Sequence, residues 1–347
     1  MGKVTAEHLG IDAEVLGRWL DTRSSPGHGE LPVLELLAGG SQNTLIRVRR
    51  GEHRMVLRMP GPRADSARLD GLLREIRLVR ALTGTDVPHA ELVAADQSGG
   101  VLGKPFYVMA EIDGWSPMGG GWQAPFDSDL DARRNLAFEL VEGAAKLGRV
   151  DWRAHGLEGF GRPDGFHERQ VQRWLSFLKT YQVRDLPGLD DAADWLRRHR
   201  PERYRPGIMH GDYQFANVMF AHGIPARLAA IVDWEMTTIG DPLLDLGWCL
   251  LGYDGEEPDS DGFYLDMTGM PTRSELLAHY EQISGLSTEH IHYYLVLANW
   301  KLGIVLEKTY AASLTPGSNV DPQVAAAMGA MVPGLIGKAA ELARSAR

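Results

Sequence analysis

The segment from His210 to Asn217, which reads HGDYQFAN, carries residue types suited to phosphoryl transfer. Asp212 and Asn217 stand five positions apart, and Asp233 follows Asn217 by sixteen positions. Transfer of a phosphoryl group from ATP uses one carboxylate to orient the acceptor hydroxyl, and a carboxylate with a carboxamide oxygen to hold Mg²⁺ against the phosphates. Because Asp212, Asn217 and Asp233 supply that set, the spacing predicts a phosphoryl-transfer site.

The flanking sequence favours a loop at the ends of buried strands. Arg205, Pro206 and Gly207 form a turn signal before the segment, and the apolar run 228–232 ends directly at Asp233, which is typical of a buried strand. HGD and the later GDP at 240–242 are also common turn sequences, and the aspartates could instead cap helices. The occurrence of the whole set in order favours the catalytic interpretation.

Length and composition indicate a globular protein with two lobes or domains rather than one core. The chain has 347 residues, of which 44% are hydrophobic and 24% charged. No apolar run approaches the roughly 20 residues of a membrane helix. The first twenty residues mix charges into their apolar positions, so they lack the core of a signal peptide. We therefore expect a cytoplasmic protein with no membrane association.

The charge and the cysteine count exclude further classes of protein. A formal net charge of -10 argues against nucleic-acid binding, which relies on clustered lysine and arginine. The single cysteine, Cys249, allows no intrachain disulfide, and its apolar surroundings predict an inert core residue. No oligomeric state is predicted.

A glycine-rich hairpin tip is the first candidate nucleotide-binding element. Strands are predicted at 33–37 and 44–48, and the connection between them contains Gly39, Gly40, Ser41 and Asn43. Glycines let backbone N–H groups approach a polyphosphate, and Ser41 adds a hydroxyl donor. An ordinary hairpin turn without a ligand has the same composition.

The motifs together resemble those of one enzyme family. HGD, the D-x-x-x-x-N spacing, the DWE triplet at 233–235 and the trailing GDP and Asp245-Leu246-Gly247 are similar to the catalytic and metal-binding loops of protein-kinase-like enzymes. Within that group they resemble the aminoglycoside phosphotransferase and choline-kinase-like branch, the phosphotransferase enzyme family. The resemblance implies a catalytic base at Asp212, metal ligands at Asn217 and Asp233, and a loop-shaping role for His210.

The same resemblance implies a fold and cofactors. The expected fold is α+β, a protein-kinase-like two-lobe arrangement whose small N-lobe has an antiparallel sheet and one helix and whose larger C-lobe is mainly helical. The expected boundary divides residues 1–113, which bind nucleotide, from 114–347, which carry the catalytic loop, metal site and substrate cleft. ATP and Mg²⁺ are the expected cofactors. For Asp241 and Asp245 we predict a structural role in bracing the catalytic loop.

Arg58 and Glu75 are the predicted ion pair of the N-lobe. The strand predicted at 55–59 places Arg58 where kinases usually carry the lysine that contacts the α and β phosphates. Arginine keeps its charge and can bind phosphate through two parallel hydrogen bonds. Glu75 lies on or beside the apolar face of the helix predicted at 68–82, where a carboxylate is costly unless paired. The alternatives are a surface strand arginine and an exposed glutamate.

The remaining elements place the hinge and the C-lobe. Strand-like runs at 90–95 and 105–109 precede Glu111, which marks the approximate position of the adenine-binding hinge by resemblance. Helical periodicity predicts further helices at 11–22, 130–150, 166–181, 189–200 and 289–310. Pro242 suits the first position of another helix, with Asp241 as its cap. Trp300 lies off the apolar stripe of the helix at 289–310 and could face a substrate cleft, but packing in the core is the favoured interpretation.

Three function classes follow from these observations. The first is an ATP- and Mg²⁺-dependent kinase acting on a hydroxyl of a small molecule, with the acidic loop 253–266 favouring a cationic acceptor if it is more than a solvated loop. The second is a nucleotide-binding, pseudokinase-like protein without turnover, motivated by Arg58 in place of lysine. The third, a metal hydrolase using His210, Asp212 and Asp233, is weak because no zinc-like histidine spacing accompanies them.

Overall fold

The computed structural model describes residues 11–37, 43–61, 64–118, 120–259, 264–315, 318 and 320–345. The glycine-rich tip at Gly39, Gly40 and Ser41 lies outside the described residues. The helices are α1 (Ala13–Asp21), α2 (Ser66–Leu82), α3 (Leu130–Arg149), α4 (Phe166–Leu178), α5 (Leu189–Arg198), α6 (Leu243–Cys249), α7 (Arg273–Ser284), α8 (Ile291–Ser313) and α9 (Pro322–Ser345). The strands are β1 (Val33–Leu36), β2 (Asn43–Arg50), β3 (His53–Pro60), β4 (Leu92–Asp96), β5 (Phe106–Ala110), β6 (Gly207–Met209), β7 (Val218–Phe220), β8 (Leu228–Ile231), β9 (Thr238–Gly240), β10 (Tyr253–Asp254) and β11 (Glu257–Pro258).

The N-terminal part is an antiparallel sheet of five strands in the order β1-β2-β3-β5-β4. Side chains alternate between its faces because a strand has a period of two. Leu57 points to the face covered by α1, where it packs in a cluster with Leu16 and Leu20. Its neighbour Arg58 points to the opposite face, which α2 covers. The strand period therefore directs Arg58 towards the helix that carries Glu75.

The rest of the chain is mainly helical and surrounds one large apolar core. Three short antiparallel pairs interrupt the helices, β6 with β9, β7 with β8, and β10 with β11. The first two pairs end at the residues singled out for chemistry. We call the sheet with α1 and α2 the sheet lobe, and the part from α3 onward the helical lobe. The two-lobe α+β prediction is confirmed, while the boundary between residues 113 and 114 stays a prediction.

Helix α8 lies at the centre of the helical lobe. It is buried on nearly every side, by α4, α5, α6 and α9. The predicted core role of Trp300 is confirmed, since the side chain is fully buried and its indole N–H donates to the Leu189 carbonyl oxygen at 3.0 Å. Cys249 is buried as predicted.

Two helices were absent from the sequence-based assignment, α7 and α9. Helix α7 begins with a capping box between Thr272 and Glu275, a signal that the sequence does contain. Within the described residues, no helix is both long and apolar enough to cross a membrane.

Candidate active site

The candidate catalytic segment, residues 210–217, begins where strand β6 ends. Strand β6 delivers the chain to His210, and the following Gly211 takes a left-handed backbone conformation with φ of 87°. A Cβ atom at Gly211 would lie 2.7 Å from the Met236 carbonyl oxygen, closer than real Cβ atoms approach. Glycine is therefore required here both for its backbone conformation and for space.

His210 holds the loop by two contacts of its ring. The fully buried imidazole places Nε2 2.8 Å from the Val232 carbonyl oxygen, and Nδ1 accepts the Asp212 backbone N–H at 3.3 Å. This pattern requires the proton on Nε2 and the lone pair on Nδ1. The ring thus ties the loop to the end of strand β8, which is the geometry expected of a loop-shaping residue.

The Asp212 carboxylate is oriented by two amide side chains. Gln214 donates to Asp212 Oδ1 at 2.7 Å, and Asn217 donates to Oδ2 at 2.9 Å. Asn217 Nδ2 also lies 2.8 Å from the Asp212 carbonyl oxygen. Burial raises the pKa of the Asp212 carboxyl, while the charge of Lys301 and the amide hydrogen bonds act in the opposite direction. The carboxylate is therefore fixed in direction and poorly hydrated, which suits a group that positions an acceptor hydroxyl.

Asp245 braces the loop from below, as predicted. Its buried carboxylate accepts the backbone N–H groups of His210 at 2.6 Å and of Gly211 at 2.8 Å. Asp241 accepts the N–H of Leu243 at 3.1 Å and caps helix α6, which begins one residue later than the sequence suggested. Asp245 therefore has the predicted role of bracing the loop, whereas Asp241 contacts Leu243 and His167 and holds the start of α6 instead.

Asp233 lies beside Asn217 because of the β7–β8 pairing. The Val232 N–H donates to the Asn217 carbonyl oxygen at 2.9 Å, so the next residue, Asp233, leaves the ladder at the same end. Its backbone is left-handed, with φ of 63° and ψ of 66°. A non-glycine residue in this region is uncommon and tends to mark functional sites.

The predicted ion pair of the sheet lobe is present. Arg58 Nε lies 3.0 Å from Glu75 Oε2, and the two side chains are 12% and 5% exposed. The distance is that of an ion pair, although the N–H is not aligned as a hydrogen bond. The Tyr107 hydroxyl donates to Glu75 Oε1 at 3.0 Å. The surface-arginine and exposed-glutamate alternatives are wrong.

A cavity of about 640 Å³ lies between the lobes. Its size is that of a ligand pocket. Five of the residues predicted to bind the nucleotide or metal line it: Asn43, Arg58, Glu75, Glu111 and Asp233. The other lining residues include apolar side chains from both lobes, among them Val56 and Met109 above and Met219 and Ile231 below.

Glu111 takes part in an ion pair at the edge of this cavity. Its carboxylate lies 3.0 Å from Arg47 Nη2, and its backbone N–H donates to the Arg54 carbonyl oxygen at 3.2 Å. That N–H is therefore engaged within the sheet lobe. Adenine recognition at this place stays a prediction and would use other backbone groups of the segment.

The donor chemistry around Asn217 and Asp233 fits Mg²⁺. Because Asn217 Nδ2 is committed to Asp212, the amide oxygen is directed away from Asp212. A carboxamide oxygen and one carboxylate are hard oxygen ligands, and Mg²⁺ in nucleotide sites takes its other ligands from phosphates and water. Within the part of the chain that the structure describes, no group of three histidine, cysteine or acidic residues forms a protein-only metal cage.

The match to a family model decides the classification. The model described as the phosphotransferase enzyme family matches residues 33–281. The chain belongs to this family. The predictions of the family and of a protein-kinase-like fold are confirmed, and the predicted enzyme class, a phosphotransferase, is that of the family.

The curated relatives that this family member matches include proteins much longer than this chain. It is 29% identical over 335 residues to acyl-CoA dehydrogenase family member 11 of Gallus gallus, covering 90% of this chain and 41% of that protein. It is 26% identical over 284 residues to acyl-CoA dehydrogenase family member 10 of Mus musculus, covering 80% of this chain and 26% of that protein. The chain thus spans less than half the length of these curated relatives.

Solved structures show the same fold. A protein from Ralstonia eutropha, described as a candidate aminoglycoside phosphotransferase, superposes with a TM-score of 0.81 at 26% identity, covering 97% of this chain and 99% of that one. The aminoglycoside phosphotransferase APH(4)-Ia, in a ternary complex with ADP and hygromycin B, gives a TM-score of 0.57 at 14% identity over 90% of this chain and 94% of that one.

Sequence reasoning missed two residues at the candidate site of this family member. Lys301 lies beneath the catalytic loop, and the Tyr264 hydroxyl accepts the Ala216 backbone N–H at 3.0 Å. The aromatic residues of the acidic loop were the available signal for Tyr264. A lysine inside an apolar helix was the signal for Lys301.

Proposed function

We propose that the protein is a small-molecule kinase that uses ATP and Mg²⁺ to phosphorylate an alcohol hydroxyl. The observation that carries this proposal is the meeting of Asp212, Asn217 and Asp233 at one end of the β7–β8 pair, with Asp233 at the edge of the cavity that Arg58 and Glu75 also line. In it, Asp212 positions the acceptor, Asn217 and Asp233 hold Mg²⁺, and Arg58 faces the phosphates. Mg²⁺ would neutralise charge on the phosphates.

The ADP and hygromycin B complex of APH(4)-Ia supports the nucleotide and the hydroxyl acceptor. A cationic acceptor has less support. Three carboxylates of the loop 253–266 are already in ion pairs: Asp254 with Lys338 at 2.6 Å, Glu256 with Arg273 at 3.0 Å, and Asp266 with Arg133 at 2.7 Å.

Nucleotide binding is tested first, by comparing stability with ATP, with Mg²⁺ and with both. A nucleotide at 100 times its dissociation constant stabilises the fold by about 2.7 kcal/mol. We expect a Mg²⁺-dependent ATP shift in the natural sequence and its loss in Asp233→Ala. If neither ligand changes the stability of the natural protein, the nucleotide site does not exist.

Turnover is tested next, by ADP release across a panel of alcohols and amino alcohols. We expect Asp212→Asn to lower kcat by at least roughly 10²-fold while the ATP-dependent stabilisation stays, because catalysis here depends on positioning and electrostatics. Full turnover in Asp212→Asn would show that Asp212 is not the catalytic base.

The second candidate is a nucleotide-binding protein without phosphoryl transfer. Arg58 favours it, since this position carries an arginine in place of the usual lysine and its charge is already paired with Glu75. A Mg²⁺-dependent ATP shift without acceptor-dependent ADP release would support this candidate over the first.

A further inference from the structure

Lys301 is a buried cation whose acceptor is not a carboxylate. The side chain extends from helix α8, the residue is 3% exposed, and Nζ donates to the Gly211 carbonyl oxygen at 2.6 Å. Nζ also lies 5.2 Å from the ring centroid of Trp174 and 5.1 Å from that of Trp248. Burying an ammonium is costly, and an apolar side chain of similar length would pack in this core at lower cost. The fold alone therefore gives no reason for a lysine here.

The atom that Lys301 contacts belongs to the peptide group directly before Asp212. That peptide is held at both polar ends, because Lys301 binds the Gly211 carbonyl oxygen and His210 Nδ1 accepts the Asp212 N–H. Asp245 holds the preceding peptide through the Gly211 N–H. The direction of the Asp212 side chain depends on the orientation of this peptide plane.

Gly211 makes such restraint necessary. Its backbone dihedrals are less restricted than those of any other residue, so the peptide plane before Asp212 is not fixed by local sterics. Helix α8 can supply that restraint, because it is packed on nearly every side by α4, α5, α6 and α9. A hydrogen bond from a charged donor is about twice as strong as one between neutral groups.

The charge of Lys301 acts on the same site. Burial lowers the pKa of Lys301 to about 8, against the attraction of Asp212 and Asp245, so the group is mainly protonated at neutral pH. The ammonium is thus a fixed positive charge beneath two carboxylates, of which Asp245 is buried and Asp212 is half-buried. It stabilises the ionised form of the carboxylate that receives the acceptor hydroxyl.

We propose that Lys301 is a positioning residue for phosphoryl transfer, which orients Asp212 through the Gly211 carbonyl oxygen. The inference rests on the proposed kinase function. A positioning role predicts different effects on ATP binding and on turnover, because Lys301 does not line the cavity between the lobes. Loss of Lys301 should therefore lower kcat and leave the KM for ATP nearly unchanged.

The test uses Lys301→Met, which keeps the length of the side chain and removes the charge and the donor. We expect kcat to fall by about 10²-fold, since a small misplacement of a catalytic group has that effect. The Mg²⁺-dependent ATP stabilisation and the KM for ATP should stay within about two-fold of the natural values. Lys301→Arg should recover part of kcat, and Lys301→Gln should show how much a neutral donor restores.

The matched control is Lys308→Met on the same helix. Lys308 is exposed, and its Nζ lies 5.1 Å from the ring centroid of Phe177, away from the catalytic loop. This variant should have the kcat of the natural protein. It controls for the loss of a lysine from helix α8.

Each result decides one question. A natural kcat in a folded Lys301→Met variant overturns the positioning role. An equal fall in kcat and in the stabilisation by ATP also overturns the positioning role, because the variant has then lost structure in general. If Lys301→Met does not fold, Lys301→Gln takes its place in this test. Absence of ATP binding or of turnover in the natural protein overturns the proposed kinase function itself.

Discussion

Each lobe places a cation beside the candidate site, Arg58 in the sheet lobe and Lys301 in the helical lobe, and the two charges are compensated differently. In the sheet lobe, Arg58 lies 3.0 Å from the Glu75 carboxylate, which also accepts the Tyr107 hydroxyl. In the helical lobe, Lys301 binds a backbone carbonyl oxygen, and the carboxylates of Asp212 and Asp245 act on it through space. The charge of Arg58 is therefore compensated by one adjacent carboxylate. The charge of Lys301 has no carboxylate in contact and interacts at longer range with Asp212 and Asp245.

Because of this difference, we expect loss of the Arg58 ion pair to lower the stability of the fold and loss of Lys301 to lower turnover. A locally paired charge holds β3 and α2 together and keeps the guanidinium at the cavity wall, so its loss should affect folding. The buried ammonium of Lys301 should contribute little to the stability of the fold, because the cost of burying it is poorly compensated. Its contribution should appear in turnover instead.

The largest effect on stability is expected for Glu75→Gln. This change leaves the largely buried Arg58 without its ion-pair partner, and removing one partner of a buried pair costs about 3 kcal/mol or more. The free energy of unfolding, measured by denaturant titration at neutral pH, should fall by that amount. The double variant Glu75→Gln, Arg58→Met is the control and should recover most of the loss, because no uncompensated charge is left.

A loss below about 0.5 kcal/mol in Glu75→Gln would be typical of a surface substitution. It would show that water reaches Arg58 and replaces the carboxylate. The two lobes would then not differ in the way their cations are compensated.

The pH dependence of the free energy of unfolding should show that Lys301 has a lowered pKa in the folded protein. Burial lowers the pKa of Lys301 from 10.5 to about 8, so between about pH 8 and 10 the unfolded chain binds more protons than the folded protein. The free energy of unfolding should therefore rise with pH in the natural protein, by roughly 1 kcal/mol per pH unit relative to Lys301→Met. At pH 7 the variant should be about as stable as the natural protein.

The comparison with Lys301→Met is essential because other groups titrate in the same range. Burial raises the pKa of Tyr213, for example, and Tyr213 is present in both proteins. Parallel stability curves for the two proteins would show that Lys301 titrates normally, and the charge beneath the loop would not be a buried one.

The sequence allowed one of these two cations to be placed and not the other. Periodicity put Glu75 beside the apolar face of α2, and a buried carboxylate needs a cation, so Arg58 followed from local pattern and family resemblance. Helix α8 is apolar on nearly every side, since α9 and other helices enclose it. Its apolar stripe therefore carried no information about the direction of Lys301.

The candidate catalytic residues could be placed from the sequence for a related reason. Asp212 and Asp233 follow short strands and Asn217 directly precedes one, and strand ends are marked by local signals such as Gly211 and the apolar run before Asp233. The hydrogen bonds that fix them come from residues distant in sequence, such as Asp245 and Lys301. Tertiary packing decides those contacts.

The smallest change in stability is expected for Lys146, a lysine that is partly exposed to water. It provides a reference for the effects predicted at Arg58 and Lys301. Lys146 pairs with Glu142 at 2.7 Å on helix α3, with side chains 25% and 26% exposed. Lys146→Met should lower the free energy of unfolding by about 0.3–0.5 kcal/mol, the usual value of such a helical pair.

The difference in stability between Lys146→Met and the natural protein should shrink at about 1 M salt, where the Debye length falls to about 3 Å, whereas the effect of Glu75→Gln should persist. If Lys146→Met cost as much as Glu75→Gln and resisted salt, burial would not be the property that distinguishes these cations, and the contrast between the lobes would need another cause.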